Sequence, residues 1–201
     1  MTARRLHAAL LAPVAMLSLS SCGVNTIPTA EEEAKAQWAN VQASFQRRAN
    51  LIPNLVSTVR GAAASEERIL TGVTEARASA TRINLTPEQL SDPQAMQRFS
   101  EAQSRLSAAI LPLQRLQENY PQLQSQQNFT LLMSQLETTE NRINIELRDY
   151  NDAVRRYNTT IRTFPNVIGA KVIYGSQPLV PYQAVTAGAE EAPKVDFGNG
   201  Q

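Results

Sequence analysis

One cysteine and one histidine are all the thiol and imidazole chemistry this 201-residue chain contains, and both fall within its first 22 residues. Cys22 follows Leu19-Ser20-Ser21, the branched, small, small, Cys order of a lipobox, where the thiol is diacylated and the chain is cut before it. Ahead of it, Arg4 and Arg5 precede an apolar run from Ala8 to Leu19 broken only by Ser18, the charged and hydrophobic regions of an export signal. As a helix that run would measure roughly 18 Å against a hydrocarbon core of ~30 Å, too short for a permanent span. A lone cysteine also leaves no partner for a disulfide. The expectation is therefore a signal peptide over residues 1–21 and a lipidated N-terminus and tether over 22–30, with Cys22 holding the chain to a membrane through two acyl chains. The protein would sit in a bacterial envelope, facing outside the cytoplasm; Gly23, with no acidic residue beside the cysteine, points toward an outer membrane where the cell has one.

Cleavage before Cys22 would also remove His7. The mature chain then has no imidazole base, no free thiol nucleophile and few ligands for zinc or copper. It would also lose Arg4 and Arg5 from its 19 basic residues while keeping all 18 acidic ones, a net charge near −1 with no footprint for nucleic acid. Among the remaining groups, Glu137 and Glu140 at i, i+3 are the one carboxylate pair suited to hydrolysis, and solvated helix-surface acids are the plainer account of them. No catalytic residue, metal or cofactor is expected beyond the covalent lipid.

Any such groups must be carried by helices. Thr29 with Glu32 reads as a capping box that starts a helix near Ala30. Apolar residues then recur at three-four spacing: Trp38, Val41, Phe45, Ile52, Leu55, Val59, Ala62, Ile69, Val73, Ala76, Ala80 and Ile83, with charge only at Arg48 and Glu66. The simplest reading is one helix over about 30–84, about 80 Å long. The run Gly61-Ala62-Ala63-Ala64-Ser65 offers a break; the unbroken heptad favours continuity. Thr86-Pro87 and Asp92-Pro93 stop that helix and start a second, with Phe99, Ala102, Leu106, Ala109, Leu113 and Leu116, which ends near Tyr120-Pro121. A third carries Phe129, Leu132, Leu136, Ile143, Leu147, Tyr150, Val154, Tyr157 and Ile161 and closes at Phe164-Pro165. A weak strand pattern appears at Val172 to Tyr174, and residues 184–201 read as a disordered tail. The fold class expected is all-α, a long up-and-down bundle of three long helices, or four if the first breaks near Gly61. A continuous first helix would outrun its neighbours and uncover Trp38, Val41 and Phe45 at one end and Val154, Tyr157 and Ile161 at the other, which argues for a homo-oligomer.

The segment Arg47-Arg48-Ala49-Asn50-Leu51-Ile52-Pro53-Asn54-Leu55-Val56, followed by Thr58, Val59, Arg60 and Gly61, resembles the signature of the LemA family. Further matches follow in order: Val73, Ala76 and Arg77; Tyr120-Pro121 with Leu123; Asn128-Phe129; Leu136 with Thr139 to Ile143; Tyr150-Asn151 with Ala153-Val154; Tyr157-Asn158; and Phe164-Pro165. The likeness places a LemA-like helical bundle at 31–165 and a C-terminal extension of it at 166–183. It implies a bacterial envelope protein with no established catalytic activity and no agreed catalytic residues. Typical members look anchored by an N-terminal transmembrane helix where this chain has a lipobox, and the usual aromatic pair near the end of the domain is reduced here to Tyr182.

Within the signature, Pro53 lacks an N–H for the Ala49 carbonyl, a defect worth roughly 3 kcal/mol inside a helix. Arg47, Arg48, Asn50, Pro53 and Asn54 are then either a shaped contact surface or a packing bend with surface amides. Arg48 lies on the seam itself. It either pairs with Glu140 or Glu146, should the first and third helices run parallel, or snorkels to the edge. Arg48, Glu140, Asn141, Tyr150, Asn151, Tyr157 and Asn158 form a candidate interhelical polar network. The function these features suggest is a non-catalytic scaffold or adaptor for envelope proteins of unknown identity, with a self-assembling membrane organiser and a carboxylate-dependent hydrolase as alternatives.

Overall fold

The computed structural model describes residues 25–184; the signal segment, Cys22 with the start of the tether, and the tail beyond residue 184 lie outside the described residues. Four long helices make up most of this part: α1 (Thr26–Ala62), α2 (Glu67–Arg82), α3 (Pro93–Asn119) and α4 (Gln127–Thr160).

The first helix does not continue into the second half of the seam; the break falls just after Gly61. It stops at Ala62, Ala63 leaves helical geometry at φ −137°, ψ 56°, and a 3₁₀ turn over Ala64–Glu66 delivers the chain into α2. Tyr120, at the end of α3, pins this turn: its hydroxyl donates to Glu66 Oε1 at 2.8 Å and lies 3.0 Å from Ser65 Oγ. The heptad runs through the break without slipping because α2 needs an apolar stripe as much as α1 does. Folded back, Leu70, Val73 and Ala80 share a core with Ile52, Leu55 and Val59. The helices alternate in direction. Arg156 meets Glu33 at 3.8 Å and Arg48 meets Glu140 at 2.9 Å, so α1 and α4 are antiparallel, while Arg48 to Ser107 and Phe45 against Phe99 set α1 and α3 parallel.

This turn removes the length mismatch that argued for self-association. Trp38, Val41, Phe45, Val154, Tyr157 and Ile161 are all buried within one chain. Each such side chain contributes about 1.5–3 kcal/mol by leaving water.

Two other local expectations give way. α1 starts at Thr26, ahead of Ala30, because the Thr29 hydroxyl turns back onto the Asn25 carbonyl at 2.8 Å and no side chain caps the helix. Val172 to Tyr174 form no strand; they belong to a π-helical turn, Ala170–Tyr174, that follows a short helix over Asn166–Gly169. The punctuation elsewhere reads as expected: Asp92 Oδ1 accepts from the Gln94 N–H at 2.9 Å with Pro93 opening α3, and Thr86 and Gln89 make a reciprocal capping box.

Candidate functional site

The apolar interior is in two parts. One, around Trp38, Phe45, Phe99, Tyr150 and Tyr157, lies at the end where α1 begins; the other, around Ile52, Leu70, Leu106, Leu113 and Phe129, lies toward the Tyr120 turn. Between them runs a polar layer to which every long helix contributes.

Its centre is Arg48, whose side chain is 1% exposed. One guanidinium nitrogen donates to Ser107 Oγ at 2.8 Å and Glu140 Oε1 at 2.9 Å; the other donates to Gln103 Oε1 at 2.7 Å and the Gln103 carbonyl at 3.3 Å. The guanidinium also stands over the Phe45 ring, 5.0 Å from its centroid. Nε is buried without a hydrogen-bond partner. One helical turn away, Ser44 donates to Glu146 Oε2 at 2.7 Å. Of the two acids offered as partners for Arg48, Glu140 is the one that pairs with it and Glu146 takes Ser44 instead, and both come from an antiparallel α4 and not a parallel one. The break at Ala63 adds a reversal between the first and last helices.

α2 enters the layer through Arg77, whose Nε donates to the Ala49 carbonyl at 2.7 Å. Pro53 leaves that carbonyl without its helical donor, and α1 nevertheless runs on through Pro53. A proline on one helix and an arginine on another therefore form a unit, so Pro53 is a packing feature as well as a surface one. In the Arg77→Ala variant the half-buried carbonyl is orphaned, and stability falls by about 1–3 kcal/mol. In a Pro53→Ala background the helix supplies its own N–H, and the same Arg77→Ala change costs less than half as much. A double-mutant cycle by urea titration checks this; equal costs in the two backgrounds would break the link.

The polar face of α4 does something different from bonding helices to one another. Asn151 and Asn158, seven residues apart, each grip the main chain of the extended segment that follows the π turn. Asn158 accepts from the Leu179 N–H at 2.9 Å and donates to the Leu179 carbonyl at 2.8 Å. Asn151 does the same to Tyr182, at 2.8 and 3.0 Å. The Tyr150 hydroxyl donates to the Val180 carbonyl at 2.8 Å, the Val180 N–H reaches the Leu90 carbonyl at 2.8 Å, and the Ser100 hydroxyl donates to the Gln183 carbonyl. This strap lays Leu179 and Tyr182 into the core, with the Tyr182 ring against Phe45 and Phe99. The surviving aromatic of the C-terminal pair is therefore a core residue. Burial pushes the phenols of Tyr150, Tyr157 and Tyr182 up from their usual value. Asn141, by contrast, is exposed and takes no part in the network.

The outer face of α1 presents Arg47, Asn50, Pro53 and Asn54 to solvent. Asn50 accepts from Gln46 at 2.8 Å, and the Asn54 carbonyl accepts from the Ser57 and Thr58 hydroxyls, both at 2.9 Å. The signature thus divides by side: Arg48, Ile52, Leu55 and Val56 face in, and these four face out. Of the two acids offered for hydrolysis, Glu140 is engaged by Arg48 while Glu137 is exposed, so they do not act as a facing couple. Among the described residues, no helix is long and apolar enough to cross a membrane.

The model of the LemA family matches residues 37–197, a span that takes in all of the polar layer and the strap. Relatives include two proteins from Paramagnetospirillum magneticum named magnetosome protein MamQ 1 and MamQ 2, each 28% identical over 178 residues, and magnetosome protein MamQ of Magnetospirillum gryphiswaldense, 27% identical over 171. In each case the match covers 77% of this chain but 63% of the relative.

Proposed function

Given that the chain belongs to the LemA family, we propose that it is a membrane-anchored, non-catalytic scaffold that presents the outer face of α1 to other proteins of the bacterial envelope. The observation that carries this reading is the division of the signature by side. Arg48, Ile52, Leu55 and Val56 have an internal task in the packing, whereas Arg47, Asn50, Pro53 and Asn54 spend a guanidinium, two amides and a proline on solvent. Exposed groups of that kind on a rigid helix are suited to contact with a partner. The relatives are named as magnetosome proteins, and those names specify no reaction. Anchoring rests on Cys22, as the lipobox order of residues 19–22 suggests.

A photo-crosslinking residue at Asn54 tests both halves of the proposal in intact cells. Discrete adducts are expected with the full chain, and they disappear when Cys22→Ser releases it from the membrane. Adducts no different from those formed at exposed Leu131, at the far end of α4, would overturn the choice of face.

A further inference from the structure

The segment after α4 carries five large apolar side chains in water: Phe164, Ile168, Val172, Ile173 and Tyr174, with Phe164 80% and Val172 79% exposed. The remaining exposed large apolar residues among those described, Leu111, Leu131 and Ile145, are scattered singly on α3 and α4. The turn that holds the five is firmly seated. Ala170 is buried, and a side chain built at Gly169 would stand 3.6 Å from Ile27 of α1. These residues are thus fixed beside the first turn of α1, facing away from the bundle.

That location identifies what covers them. α1 begins at Thr26, and only Gly23 and Val24 lie between Cys22 and Asn25, three steps of chain that span at most about 11 Å. On the anchored reading of the preceding section, on which this inference rests, the patch is held at the bilayer surface. Charge agrees. Arg162 and Lys171 flank the patch and have no ion pair among the described residues. The acids on the first turns of α1 are engaged within the bundle, Glu31 and Glu32 sharing Lys35 and Glu33 meeting Arg156, and the four cations Lys35, Arg156, Arg162 and Lys171 outnumber these three. Aliphatic and aromatic side chains with a phenol and free cations at the rim suit the boundary between acyl chains and anionic headgroups.

We propose that Phe164, Ile168, Val172 and Ile173 form a second membrane contact, independent of the acyl anchor, that inserts into the headgroup region of an anionic bilayer and fixes the bundle's orientation on it. The fragment 23–201 tests this without the anchor. Both core clusters lie between Ile27 and Tyr182, so the fragment keeps the described fold, and it contains no cysteine, so a single engineered one can be labelled. An environment-sensitive fluorophore on Ile173→Cys should shift to the blue and be quenched by spin-labelled lipid when vesicles of phosphatidylglycerol and phosphatidylcholine are added. The same label on Leu131→Cys should not respond. Phe164→Ser with Val172→Ser should weaken partitioning by about tenfold or more. A label at 173 that ignores vesicles overturns the proposal, as does an equal response at 131, or shielding at 173 that grows with protein concentration in the absence of lipid, which would mark a contact between copies. The anchor is judged separately by the mass of the mature N-terminus. A lipidated Cys22 with an unresponsive fragment retires the patch alone, and a bare Cys22 with a responsive fragment retires the anchor alone.

Discussion

Glu140→Ala lowers unfolding stability by about 3 kcal/mol, because it leaves the Arg48 guanidinium in the middle of the bundle without a counter-charge. The loss lies at the low end for a broken buried pair because the Glu140 side chain is itself 34% exposed. A domain of ordinary stability holds about 5–15 kcal/mol, so this one change removes a large share. Arg48→Met combined with Glu140→Leu is expected to be milder than Glu140→Ala, since the pair's desolvation cost leaves with the pair and the apolar replacements join the cores on either side. Urea titration of the three proteins decides the matter. A Glu140→Ala variant within about 0.5 kcal/mol of the parent would mean that Ser107 and Gln103 satisfy the cation unaided.

The strap gives the second large effect. Asn151→Ala with Asn158→Ala removes four hydrogen bonds to the main chain at Leu179 and Tyr182, at about 2–4 kcal/mol together. At roughly 2–4 °C per kcal/mol the melting temperature falls by about 5–15 °C. Amide exchange at Leu179 and Tyr182 should accelerate well before that at Val41 or Leu106, buried on α1 and α3; uniform acceleration would contradict a strap that is held locally. The strap also has an alkaline limit. Burial raises the folded-state values of Tyr150, Tyr157 and Tyr182, so their neutral forms contribute stability that is complete below the unfolded tyrosine value of about 10 and is withdrawn as pH climbs past it. Within the folded protein Tyr150 still donates to Val180 at that pH and stops only once its own raised value is passed.

How far these features could be read in advance follows from what a hydrophobic repeat encodes. The seam from Trp38 to Ile83 states which faces are buried and says nothing of chain direction, so a continuous rod and a hairpin satisfy it equally. What distinguishes them is Tyr120, 54 residues after Glu66, holding the Ala63 turn from the end of another helix. The acid paired with Arg48 was legible from charge on an apolar stripe, whereas its antiparallel approach depended on the reversal at Ala63. Asn151 and Asn158 were legible as one face of a helix. Their target was not, because an extended strap with Leu179 and Tyr182 three residues apart presents no period to detect. Arg77 was visible as a matched residue and Pro53 as a missing donor, yet no local signal joins positions 24 apart on separate helices.

The strap also orders events in time. Tyr182 completes the compartment that holds Trp38, Phe45 and Phe99, and the Ser100 hydroxyl reaches a carbonyl 83 residues further along the chain. No earlier segment supplies those contacts. A chain emerging from its N-terminus therefore cannot finish this half of its interior until Tyr182 and Gln183 have been made and released, whereas the half around Leu70, Leu113 and Phe129 has all its residues by Leu136. Contacts that close such long loops come late because their entropy must be met before they repay it. The end of the bundle where α1 begins is therefore the last to become compact, although its first residues are the first to be made.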